Sequence, residues 1–149
     1  MSLVDTVLPS DQIQVVEAID DWQQAVKQAG EPLLQREFIT QKYIQSMIDS
    51  VQEHGPYMVI ADYFALLHAR PGEGVNQQSM SLLVVKEPVD MLDKPVKIFL
   101  VLAAKDSQSH LESLQSIMTI FMDTKNYQII LEGNKSEIVE LFNEGGNKK

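Results

Sequence analysis

Three histidines carry the reactive side chains whose settings stand out in this chain. His68 follows the apolar run Phe64-Ala65-Leu66-Leu67 and enters a segment containing Arg70, Pro71, Gly72 and Gly74. Imidazole has a reference pKa of about 6.5, so at neutral pH it keeps a ring nitrogen with a lone pair and can act as a nucleophile. Arg70 could offset the charge of a phosphoryl group bound there. The glycines would let backbone amides approach an anion. A side chain where a strand meets a loop is held at its base and exposed at its tip. A lone loop histidine is nonetheless more often an ordinary surface residue, so this pattern nominates His68 without establishing a role.

His110 falls in the first turn of an expected helix. The positive end of that helix disfavours a charged imidazole, and a neutral ring beside helix amides suits an anion contact as well as it suits capping or packing. His54 stands just before Gly55 at the end of another expected helix, where a histidine interacts favourably with the helix dipole, and its role reads as structural. Abundant carboxylates form no pairing that points to chemistry. Glycine-rich phosphate loops, the dinucleotide fingerprint, the H-E-x-x-H metal pair and the G-x-S-x-G elbow are all missing.

The elements that must hold these residues follow from periodicity. Gln12 to Val15 alternates polar and apolar like a half-buried strand. Asp20 opens a helix with Gln23 as its capping-box partner, and Trp22, Val26, Ala29 and Leu33 follow at helical spacing. Gly30 and Pro32 predict a kink or an early stop. Thr40 caps a second helix with an apolar face of Tyr43, Ile44, Met47, Ile48 and Val51, ended by Gly55-Pro56. Tyr57 to Ala61 reads as a short buried strand, and Asp62 to Val75 as irregular. Ser79 to Val85 is a strand that Glu87-Pro88 should break. Ile98 to Ala104 is almost wholly apolar, as a central strand covered on both faces would be. Ser109-His110-Leu111-Glu112 has the capping-box pattern before a stripe of Leu111, Leu114, Ile117, Met118 and Phe121, and Asn134-x-x-Glu137 opens a last helix. The expectation is one α/β domain over residues 1–149, with helices on both faces of a sheet and a disordered tail at 145–149.

Composition bounds the possibilities. With 149 residues and 44% hydrophobic content the chain can form one ordinary globular core. It has no cysteine, which excludes disulfides, thiolate metal sites and thiol nucleophiles. A net charge of −9 repels nucleic acid and anionic membrane and favours a basic partner or simple solubility. No apolar run approaches the roughly 20 residues that span a bilayer, and the N-terminus lacks a signal-peptide core. A cytoplasmic protein with no nucleic-acid partner and no membrane insertion is expected.

The stretch Glu53 to Pro71, the block Gly74 to Pro88, the segment Ala103-Ala-Lys-Asp-Ser-Gln-Ser-His110-Leu and the segment Asp21 to Lys27 together resemble the mannitol/fructose-type enzyme IIA family of the bacterial sugar phosphotransferase system. The run His68-Ala-Arg70-Pro-x-x-Gly-Val and the Trp22-Gln-x-Ala-Val-Lys segment are most similar to its ascorbate-type branch. The resemblance implies a mixed, roughly five-stranded sheet. It implies a phosphoryl group accepted on His68, at Nε2, from the phosphohistidine of the carrier HPr and passed to a cysteine of enzyme IIB. The membrane component IIC would then carry L-ascorbate or a related sugar acid. His110 would be the supporting histidine and Arg70 a stabiliser of the phosphoryl group, with no metal or other cofactor. Leu67 stands where the family usually has proline, and Asp62-Tyr63 replaces its usual small turn; the first change removes one source of loop rigidity. A regulatory module phosphorylated on the same histidine, and a non-catalytic binding protein with a decayed site, are the alternatives.

Overall fold

The computed structural model describes residues 9–70 and 72–147, apart from the side chains of 109, 110, 113 and 143–147. A short 3₁₀ turn, Ser10–Gln12, leads into β1 (Ile13–Val16), α1 (Trp22–Gln35), α2 (Gln41–His54), β2 (Val59–Ala61), β3 (Tyr63–Leu67), β4 (Ser79–Met91) and β5 (Lys94–Ala103). Three helices follow: α3 (Ser107–Phe121), α4 (Thr124–Glu132) and α5 (Lys135–Asn147). The strands form one mixed sheet in the order β1-β4-β5-β3-β2. β1 runs parallel to β4 and β3 parallel to β5, while β4 with β5 and β2 with β3 are antiparallel.

The period-two alternation of the strands divides the core in two. Ala65, Leu67, Leu83, Val85, Phe99, Val101 and Ala103 face α1 and α2. Their neighbours Phe64, Leu66, Leu82, Val84, Ile98, Leu100 and Leu102 face α3, α4 and α5. β5, apolar on both faces, lies in the middle of the sheet, as its sequence predicts. Each large side chain buried here contributes about 1.5–3 kcal/mol.

Several expectations are corrected, each for a local reason. The cap of α1 is Asp21, one residue later than expected, with its carboxylate accepting from the Gln24 amide at 2.9 Å. The helix runs through Pro32 to Gln35. The carbonyl that loses its helical partner to a proline at 32 is that of Gln28, and the Gln14 side chain donates to it at 2.8 Å. β4 likewise continues through Pro88, because the β4–β5 register breaks between Val84 and Val89 and the proline falls in that bulge. β2 is an edge strand with Ile60 and Ala61 exposed, rather than a buried one. The segment expected to be irregular from Asp62 contains β3. α3 starts at Ser107, so Ser109 lies inside the helix, and Glu112 accepts from the Gln108 side chain at 3.1 Å. α4 was not anticipated; Asp123 caps it through the amides of Lys125 and Asn126, and Gly133 ends it at φ 75°. Among the described residues no helix is long and apolar enough to cross a membrane.

Candidate active site

Because β3 and β5 are parallel neighbours, their carboxyl ends open at the same edge of the sheet. His68 follows β3 there, and the chain after β5 turns within three residues into α3. In open α/β sheets this edge is where ligands bind. Leu67, in the position where proline was expected, is fully buried at the end of β3, opposite Val101. The strand ladder thus holds the residue that precedes His68.

The His68 ring is half-buried, and its Nδ1 lies 2.8 Å from the carbonyl oxygen of Leu66. A carbonyl only accepts, so Nδ1 carries the proton and Nε2 carries the lone pair. The ring of Tyr57 stands almost perpendicular to it, at 87° with centroids 6.2 Å apart, and His54 meets the far side of Tyr57 at 6.1 Å. His54 itself is the exposed last residue of α2, with Nε2 3.6 Å from a Glu53 carboxylate oxygen.

The segment that follows is tied down on two sides. The Gly72 amide donates to the Ala104 carbonyl at 2.9 Å, and a Cβ at Gly72 would lie 3.1 Å from the Lys105 carbonyl oxygen. This amide therefore serves close packing against the β5–α3 connection, and is not directed at an anion as expected. The Gly74 carbonyl accepts from the Thr40 amide at 3.0 Å, and Ile39 pairs with Val75 in an isolated antiparallel bridge. The Asn76 and Gln77 amides both reach the Phe38 carbonyl. Pro71 lies outside the described residues. Arg70 is exposed on the same loop as His68.

His110 is the fourth residue of α3, so its backbone lies in the first turn, as expected, at the amino end of the helix that starts from the site edge. Its side chain lies outside the described residues. The sequence offered no reason to add Tyr43 to the site. Its ring belongs to the apolar stripe of α2, yet its hydroxyl donates to the Leu102 carbonyl at 2.7 Å and accepts from the Ala69 amide at 3.1 Å. Burial, opposed by the Ala69 hydrogen bond, pushes this phenol up to about 12.

A cleft of about 540 Å³ lined by residues 59–63 and 93–95 lies at the other end of β3 and β5, remote from His68. Among the described residues no group of three histidine, cysteine, aspartate or glutamate side chains could hold a metal ion.

The family described as "Phosphoenolpyruvate-dependent sugar phosphotransferase system, EIIA 2" matches residues 6–145. The ascorbate-specific PTS system EIIA component of Escherichia coli (strain K12) is 33% identical over 131 residues, which cover 85% of each chain. Among solved structures, the mannitol-specific cryptic phosphotransferase enzyme IIA of Escherichia coli superposes with a TM-score of 0.89 at 28% identity, covering 95% of this chain and 99% of that one. The enzyme IIA mannitol of Escherichia coli, solved in complex with phosphorylated enzyme IIB mannitol, has a TM-score of 0.74 at 17% identity and covers 89% and 94%. That last likeness is one of fold.

Proposed function

The chain belongs to the EIIA 2 family of the phosphoenolpyruvate-dependent sugar phosphotransferase system, a family of phosphotransferases that work through a histidine, and from that premise we propose that His68 is the residue that takes the phosphoryl group. The observation that carries this reading is the 2.8 Å bond from Nδ1 to the Leu66 carbonyl at the end of β3. It favours the tautomer with the lone pair on Nε2 and holds the ring by its other nitrogen. The donor is the phosphohistidine of HPr. The lone pair of Nε2 attacks phosphorus, the donor's N–P bond breaks, and the donor imidazole keeps that electron pair. The attacking ring gains positive character, and the Leu66 carbonyl, accepting from Nδ1–H, offsets it. The phosphoryl group then leaves to a cysteine sulfur of enzyme IIB, forming an S–P bond and restoring the Nε2 lone pair. One N–P bond is exchanged for a bond of comparable energy at each step, so the protein's task is positioning and charge compensation. The protein acts in the cytoplasm, serving the membrane component IIC only indirectly.

The substrate of the transport system is L-ascorbate or a related sugar acid. Support comes from the 33% identity with an ascorbate-specific relative across most of both chains. A strain lacking its own ascorbate-specific component should regain growth on L-ascorbate when supplied with this gene.

The test of the acceptor is incubation with phosphoenolpyruvate, enzyme I and HPr followed by intact-mass measurement. The wild-type protein should gain one acid-labile, base-stable phosphoryl group, and His68→Ala none. A phosphorylated His68→Ala protein would refute the assignment.

A further inference from the structure

The hydroxyl of Tyr43 sits where the β3–β5 ladder stops. Leu67 is the last residue of β3 and pairs with Val101. In a parallel ladder the bonds recur at every second residue, so the Ala69 amide and the Leu102 carbonyl are the next donor and acceptor in line. They are the two groups that the Tyr43 hydroxyl bridges, at 3.1 and 2.7 Å. A direct bond would bring the Ala69 nitrogen and the Leu102 oxygen to about 2.9 Å from each other at this rung. With the phenol oxygen inserted, the two groups are joined through a pair of hydrogen bonds in place of one. The strands part at the residue between Leu67 and Ala69, which is His68.

We propose that Tyr43 is a positioning residue for His68: its hydroxyl holds the β3–β5 ladder open by one rung, which sets the direction of the imidazole and makes room beside it for the phosphoryl group. This rests on the reading of His68 as the acceptor. The ring of Tyr43 is 1% exposed and fixed in the core, so its oxygen cannot swing out of the gap. The hydroxyl remains protonated at neutral pH, since its titration lies near 12, and it can keep one proton for Leu102 and a lone pair for Ala69.

Tyr43→Phe keeps the ring and removes the wedge. A matched control is Tyr127→Phe, which removes a hydroxyl that donates to the Asp62 carbonyl, at the start of β3. Long-range ¹H–¹⁵N spectra of the unphosphorylated proteins report the orientation and tautomer of His68 without any donor. The Tyr43→Phe spectrum should show His68 ring nitrogens shifted away from the wild-type pattern, and the Tyr127→Phe spectrum should overlay it. In transfer from HPr, Tyr43→Phe should lower kcat about tenfold or more, because small misplacements of a reacting group are costly, with KM for the donor within twofold. A folded Tyr43→Phe protein with wild-type His68 shifts and wild-type kcat would overturn the proposal. A wild-type protein that takes no phosphate, beside a Tyr43→Phe spectrum that still moves His68, would overturn the acceptor assignment and leave the wedge standing. Should Tyr43→Phe not fold, the wild-type protein decides: its Tyr43 hydroxyl proton should give a nuclear Overhauser contact to the Ala69 amide, and absence of that contact overturns the proposal.

Discussion

The Nδ1 of His68 is bonded to the Leu66 carbonyl, and the two residues expected to assist His68 would act on the phosphoryl group from outside the ring. Arg70 is exposed on the same loop. If its guanidinium meets the phosphoryl oxygens during transfer, charge-assisted bonds of about 1.5–3 kcal/mol are at stake. Arg70→Ala should then slow transfer by roughly 10- to 100-fold in a quenched-flow assay, with unfolding by urea unchanged. A rate within twofold of wild type would mean that the side chain points elsewhere. His110 stands in the first turn of α3, where helix amides already favour an anion. His110→Ala should still accept phosphate, because the nucleophile remains, but should release it to enzyme IIB more slowly. His110→Gln, which keeps a hydrogen-bond donor, should recover part of that loss. Equal release rates for the three proteins would return His110 to a capping role.

At the scale of elements, the site depends on a loop fastened to its neighbours by backbone contacts. Gly74 shows how closely. Its φ is +78°, and a Cβ there would lie 3.1 Å from the Tyr43 backbone nitrogen, the Tyr43 Cβ and the Thr40 Oγ1. Neither the backbone nor the start of α2 can yield cheaply, so Gly74→Ala should cost about 1–3 kcal/mol, measured as a lower urea midpoint with an unchanged slope. A shift below about 0.3 kcal/mol, within the noise of such extrapolations, would mean that the loop relaxes freely. The helices teach a related lesson. The apolar faces of α1 and α2 were legible because their spacing is set by the helix period alone. Pro32 misled because the compensation comes from Gln14, on a strand that sequence distance separates from it. Pro88 misled because a bulge excuses it from the ladder.

For the molecule as a whole, the sheet and its two helical layers make Tyr43 part of the global stability as well as of the site. Its phenol is raised from an ordinary value of about 10 to about 12, with burial the first cause. A raised folded-state pKa means stability that is fully present below about pH 10 and is lost as pH climbs toward 12, because the unfolded chain ionises first. Two pKa steps correspond to about 2–3 kcal/mol. The stability advantage of wild type over Tyr43→Phe should therefore narrow by that order between pH 10 and 12, as followed by urea unfolding at each pH. A constant gap would show that the phenol titrates alike in both states. Tyr127 is also raised, by burial and then by the charge of Asp62, but it is present in both proteins and cancels in the comparison.

The sequence by itself determined the class of the fold, the central place of β5, the helical faces that cover it, and the nomination of His68. These are written in local periodicity and in a run of residue types short enough to read along the chain. It determined the family too, through four segments in order. Only the tertiary structure decided the strand order and the two bonds of the Tyr43 hydroxyl. Each of these depends on groups far apart in sequence, such as the Tyr43 hydroxyl between residues 69 and 102, and a hydrogen bond across such a distance leaves no period and no composition signal to read. The glycines make the same point from the other side. Gly72 and Gly74 were expected to open their amides to an anion, but whether a glycine does that or lets two backbones touch depends on what the fold brings against it, and here that is the Lys105 carbonyl and the first turn of α2.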